Sequence, residues 1–120
     1  MNLPVYNPGL HILAEIKTSE TRLLRNAQAF NDFIQKQIKE NGLNVLGEIV
    51  HSFEGAGFTA VVCLTESHIS IHTWPEYERL TFDIFLSNYQ KNNDDKCRYL
   101  FQQVRQYFEA ESVTLTEIKR

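Results

Sequence analysis

Between Leu43 and Leu86 four strand-like runs follow one another with breaks too short to hold a helix, and this rhythm constrains the fold more than anything else in the chain. The runs are "LNVLGEIVHSF", "FTAVVCL", "HISIHTW" and "LTFDIFL", divided by "EGAG" (Glu54 to Gly57), "TES" and the proline-bearing "PEYER". A parallel partner needs a crossover of about a dozen residues or more, so strands joined this tightly run antiparallel. Alternation within "HISIHTW" puts Ile69, Ile71 and Thr73 on one face and His68, Ser70, His72 and Trp74 on the other.

Helical patterns flank this meander. From Glu20 to Glu40 the residues Leu23, Ala27, Phe30, Ile34 and Ile38 step by three and four along one face, with Ser19 as the expected N-cap and Asn41–Gly42 as the stop. After the polar "NYQKNNDD", a second face is made by Cys97, Leu100, Phe101, Val104 and Phe108. "GLHILAEI" (Gly9 to Ile16) opens the fold as a strand and "SVTLTEI" closes it with β-branched alternation. The expected order is β-α-β-β-β-β-α-β. That is an α+β two-layer sandwich, a mainly antiparallel sheet with two helices on one face, forming a single domain over residues 1–120. Trp74 and the histidines point to the other sheet face, which is left for water or a second copy of the chain, so a homodimer is expected.

Composition removes several function classes. At 120 residues with 42% apolar and 22% charged residues the chain suits one soluble globular core. The net charge is −3 and the 12 Lys and Arg are scattered, so no basic stripe addresses a nucleic acid. No apolar run approaches a bilayer span, and "MNLPVYNPG" lacks the basic flank and apolar stretch of a secretory signal. A cytoplasmic protein without nucleic-acid or membrane partners is expected. Cys63 and Cys97 form no CxxC and read as two free, buried thiols, Cys63 as a small core residue of its strand.

Taken alone, the polar residues support little chemistry. His68 and His72 would chelate a metal on a helix, but along a strand four residues span roughly 13 Å, too far for one ion. No metal is expected. A triad of Ser67, His72 and Asp83 lacks both a G-x-S-x-G elbow and an oxyanion loop. Single histidines are most often surface or hydrogen-bonded residues, and Trp74 alone is most often a packing or interface residue.

The stretch "TESHISIHTWPEY" (Thr65 to Tyr77), however, resembles the self-processing motif of the bacterial and archaeal S-adenosylmethionine decarboxylases. "GLHILAEI" resembles that family's first strand, "HSF" with its glycine turn the approach to the cleavage strand, and "FDIF" the strand that follows. The resemblance implies a proenzyme that cuts itself between Glu66 and Ser67, giving residues 1–66 and 67–120. The Ser67 hydroxyl attacks the Glu66 carbonyl, an ester forms, and elimination leaves a pyruvoyl group in place of Ser67. A serine hydroxyl attacks an amide only with local help. The family pattern gives that help to His72, as base or proton relay, and to a hydroxyl eight residues before the cleavage site, here Thr59. The pyruvoyl ketone would form a Schiff base with the substrate amine and act as the electron sink for loss of carbon dioxide. By the same pattern Phe53 stacks on adenine and Glu76 accepts the ribose hydroxyls, while Trp74 and Tyr77 offer aromatic faces to the sulfonium cation. The product would supply the aminopropyl group for spermidine synthesis, and the processed chains would pair as a homodimer.

The chain departs from the family pattern in three places. The strand after the motif ends "FLSNY", so Ser87 stands where the family has its proton-donor cysteine. A serine hydroxyl is a far poorer acid than a thiol of pKa about 8.5. Glu78 replaces a common glycine, and "EGAG" lacks the family's turn proline. These departures keep two other readings open: a pyruvoyl-dependent decarboxylase of ornithine or arginine, or a non-catalytic regulatory paralogue. The odd spacing of Ser67 and His72 also places them on opposite faces of a regular strand, unless the chain bends at residues 66–68 or a second chain contributes.

Overall fold

The computed structural model describes residues 5–120, so Met1–Pro4, the first part of the stretch weighed as a signal, lie outside the described residues. Strand β1 (Leu10–Lys17) is followed by helices α1 (Thr21–Arg25) and α2 (Ala27–Glu40). The meander then runs β2 (Val45–Ser52), β3 (Phe58–Leu64), β4 (Ser67–Trp74), a 3-10 turn at Pro75–Tyr77 and β5 (Arg79–Leu86). Helix α3 (Asp94–Tyr107) and strand β6 (Ser112–Lys119) complete the chain. The six strands form one sheet in the order β2-β3-β4-β5-β1-β6, with every pairing antiparallel. The expected α+β sandwich is what forms.

The core lies between one sheet face and the helices. Ile12, Ile16, Ile69, Ile71, Phe82 and Ile84 from the sheet meet Phe30, Ile34 and Ile38 of α2 and Leu100, Phe101 and Val104 of α3, all at most 2% exposed. Burying each such side chain is worth about 1.5–3 kcal/mol, which is why the strand alternation is kept so strictly. Central strand β5 alternates buried and half-buried residues without a break.

Two local expectations are corrected. The helix expected from Glu20 to Glu40 is two helices broken at Asn26, and Ser19 caps neither of them. Asn26 Oδ1 accepts the Ala29 N–H at 3.0 Å and so starts α2 afresh. The Leu24 carbonyl accepts instead from the buried Thr73 hydroxyl at 2.6 Å, which ties the end of β4 to α1. Cys63 is exposed rather than buried. Strand β3 starts with Phe58 in the core, so Ala60, Val62 and Leu64 share that face, and Cys63 falls with Thr59 and Val61 on the other. Cys97 is buried as expected.

Among the described residues no helix covers the second sheet face. The pairings lay it out in rows across the strands: Gly47, Cys63, His68, Phe85, His11 and Ile118; then Ile49, Val61, Ser70, Asp83, Leu13 and Thr116; then His51, Thr59, His72, Thr81, Glu15 and Thr114. A further row joins Trp74, Arg79, Lys17 and Ser112. The apolar Ile49, Val61 and Leu13 lie in the second row, and beyond it the face turns polar and aromatic. No helix among the described residues is long and apolar enough to cross a membrane.

Candidate active site

At the polar end of the open face, residues from the β2–β3 turn, β3, β4 and the 3-10 turn enclose a cleft of ≈ 390 Å³ lined by Phe53, Gly57, Thr59, His72, Trp74 and Glu76. The local sequence explains its shape. Phe58 N–H donates to Thr73 Oγ1 at 2.9 Å, drawing the start of β3 onto the end of β4. Gly57 fits this approach because a Cβ there would stand 2.3 Å from the Thr73 carbonyl oxygen. Pro75 then ends β4 and starts the 3-10 turn that presents Glu76 and Tyr77. Thr59 Oγ1 and His72 Nδ1 are hydrogen-bonded across the β3–β4 ladder at 2.9 Å, which fixes the ring and leaves Nε2 for another partner. Phe53 packs edge-on to His51 at 4.7 Å, and the rings of His72 and Trp74 lie 6.2 Å apart. Phe53 is 50% and Tyr77 73% exposed, so the aromatic walls stand uncovered. A second hollow beyond Trp74 is lined by Tyr77, Arg79, Glu15 and Thr81.

The Glu66–Ser67 bond sits at the other end of β4. Thr65 and Glu66 form the β3–β4 turn, and Ser67 begins β4 with φ 139°, a conformation that costs a residue bearing a Cβ about 1–3 kcal/mol. The Glu66 carbonyl oxygen accepts the Ser87 N–H at 2.8 Å. Ser67 pairs with Leu64 and Leu86, whereas His72 pairs with Thr59 and Thr81. The structure thus brings Glu66, Ser67 and Ser87 together at one end and Phe53, Thr59, His72, Trp74 and Glu76 at the other. Five residues of strand, roughly 16 Å, separate Ser67 from His72 within one chain.

Between these two ends lies a cluster that the sequence did not reveal. Asp83 accepts from Ser70 Oγ, from His11 Nε2 at 2.8 Å and from His68 Nε2 at 3.1 Å. Asp83 therefore belongs with His11, His68 and Ser70, not in a triad with Ser67 and His72. Burial opposes its ionisation, but the Ser70, His11 and His68 hydrogen bonds outweigh that and hold its carboxyl below the ordinary aspartate value. The ligating atoms of His11, His68 and Asp83 lie within 4.8 Å of one another, close enough to share a cation, and are already committed to hydrogen bonds. Only the pairing of β1 with β5, distant in sequence, brings His11 to Asp83. No local spacing signals it.

Known proteins agree with this architecture. A family model described as S-adenosylmethionine decarboxylase matches residues 10–120. The S-adenosylmethionine decarboxylase proenzyme of Clostridium kluyveri is 37% identical over 93% of this chain and 86% of its own length. The proenzyme of Acetivibrio thermocellus is 36% identical over 93% of this chain and 87% of its own. The crystal structure of the adenosylmethionine decarboxylase from Aquifex aeolicus superposes with a TM-score of 0.85 over 97% of this chain and 92% of that one, at 24% identity, a likeness of fold. With the motif from Thr65 to Tyr77 running from the Glu66–Ser67 turn to the cleft, and the match spanning almost the whole described chain, the protein belongs to the S-adenosylmethionine decarboxylase family.

Proposed function

We propose that the protein cleaves itself between Glu66 and Ser67 and then decarboxylates S-adenosylmethionine, providing the aminopropyl donor for spermidine synthesis. The observation that carries this reading is the Glu66–Ser67 peptide. It lies in a tight turn, its serine is held at positive φ, and its carbonyl accepts a hydrogen bond. The pyruvoyl group formed from Ser67 supplies the electron sink for carbon dioxide loss. Phe53 stacks on the adenine, Glu76 accepts from the ribose hydroxyls, and Trp74 and Tyr77 face the sulfonium. His72, held through Nδ1 by Thr59, offers Nε2 to move the proton during processing.

Ser67 and His72 meet across two copies of the chain. A two-fold axis lying between two open faces and crossing β4 near its middle reverses that strand, setting each Glu66–Ser67 against the other copy's Thr59 and His72. Leu13, Ile49, Val61 and Ile118, each at least 39% exposed in one chain, are then covered. The buried atoms His11 Nδ1 and Arg79 Nε, which lack a partner among the described residues, also belong to open-face residues.

Ser87 occupies the position of the family's proton-donor cysteine beside the cleavage point. With a hydroxyl there, reprotonation falls to water relayed by Ser87 or to His72, and turnover is slower than a thiol would allow. The test is carbon dioxide release from carboxyl-labelled S-adenosylmethionine, ornithine and arginine by the processed protein. Release from S-adenosylmethionine alone is expected. Release only from ornithine or arginine moves the substrate assignment, and release from none leaves a regulatory relative.

A further inference from the structure

We propose that Asn88 and Asn93 are positioning residues that hold the Ser87 peptide as an oxyanion donor to the Glu66 carbonyl, an inference that rests on the self-processing reading above. The Ser87 N–H donates at 2.8 Å to the Glu66 carbonyl oxygen, the atom that takes up charge when that carbonyl is attacked. That bond taken alone extends the β4–β5 ladder by one step. What sets it apart is the other side of the same residue. The Ser87 carbonyl accepts from Asn93 Nδ2 at 2.8 Å, and the Asn93 N–H donates to Asn88 Oδ1 at 2.6 Å. Asn88 Nδ2 in turn donates to the Pro8 carbonyl at 3.1 Å and to Asp94 Oδ1 at 2.8 Å.

Both asparagines are buried, at 5% and 4% exposure. Burying two amides where β5 gives way to the loop before α3 is costly unless their bonds are made. Asn93 Oδ1 lacks a partner among the described residues, whereas Asn88 Oδ1 and both Nδ2 groups are bonded, tying Ser87 to Asn93, Asp94 and Pro8. Gly9 closes the segment from the opposite side, since a Cβ on it would meet the Leu86 carbonyl oxygen at 2.3 Å and the Ser87 Cα at 3.0 Å. The loop therefore presents the Ser87 N–H at a fixed point beside a turn whose serine is strained.

The step served is the first of self-cleavage. The Ser67 hydroxyl gives its proton to a base and its oxygen bonds to the Glu66 carbonyl carbon, while the carbonyl electron pair moves onto oxygen. The Ser87 N–H faces that oxygen as it gains charge. The pair then returns, the Glu66–Ser67 C–N bond breaks, and the nitrogen takes up a proton, leaving the chain joined through an ester.

The experiment follows fragment formation by denatured mass spectrometry during cell-free synthesis of wild type, Asn93→Asp and Asn93→Ala. Asn93→Asp keeps the shape but puts a carboxylate oxygen, which repels the Ser87 carbonyl, in place of the Nδ2 donor. Both variants are expected to cut about ten- to a hundredfold more slowly, short of the ~10²–10³-fold cost of deleting a donor outright. Added hydroxylamine, which cuts the ester and marks Glu66 as a hydroxamate, should leave the ratio of hydroxamate to pyruvoyl product at its wild-type value while both form more slowly, because only ester formation is slowed. A general disturbance of the site would also alter elimination and change that ratio, against the assignment. Replacing the Leu86–Ser87 amide by an ester, which deletes the N–H alone and is assayed without hydroxylamine, decides the matter if the asparagine variants do not fold. Its expected slowing is ~10²–10³-fold. Folded asparagine variants or an ester-linked protein cutting at the wild-type rate would overturn the assignment. An uncut wild type would remove the self-processing reading itself, and this inference with it.

Discussion

Asp83 is a residue whose charge bears on stability. Its carboxyl is held below its ordinary value in the folded chain, so its contribution is present above the unfolded value of about 3.9 and fades as pH falls through the folded one. Asp83→Asn should lower stability at neutral pH by about 1–3 kcal/mol and flatten the acid limb of unfolding below about pH 4, as urea melts across pH would show. Cys97 makes a second test. Burial pushes its thiol up to about 12, with Asp94 and Glu117 adding to the effect. In a Cys63→Ser background no thiol should titrate with a chromogenic disulfide until the protein unfolds, when one appears. Phe53→Ala should raise the KM for S-adenosylmethionine about ten- to a hundredfold through loss of a buried ring face, with a smaller change in kcat. At this scale the motif carried most of the cleft: Thr59, His72, Trp74 and Glu76 line it together. His11, Asn88 and Asn93 were illegible because their roles depend on partners that only the folded sheet and loop bring near.

Elements were legible wherever burial alone set the pattern. Ile69, Ile71 and Thr73 face the helices because alternation in a half-buried strand leaves no other choice, and Ile34 and Ile38 do so by helical spacing. The helix break was missed because apolar spacing runs on through Ala27 while Asn26 restarts the hydrogen bonding. Asn26→Ala should therefore cost about 1 kcal/mol in thermal or urea unfolding, the usual worth of an N-cap, with no change in the oligomer. Cys63 was misplaced for a different reason. An apolar run long enough to be buried on both faces reads the same as one buried on a single face, and β3 is of the second kind.

For the whole molecule, the sequence implied a sandwich with one unpartnered face but not the order in which strands cross it. The placement of β1 between β5 and β6 is a long-range choice without local signature, and it puts His11 beside Asp83. The two halves of the proposed site lie at opposite ends of β4, and in the proposed function they meet across two chains. Val61→Lys, a charge placed in the middle of that face, should yield a monomer by sedimentation equilibrium and lose self-cleavage together with the dimer. The most direct test of the central claim is the denatured intact mass of the purified protein. Fragments of residues 1–66 and 67–120, the second blocked by a pyruvoyl group, are predicted; a single chain that stays whole on incubation would contradict the account.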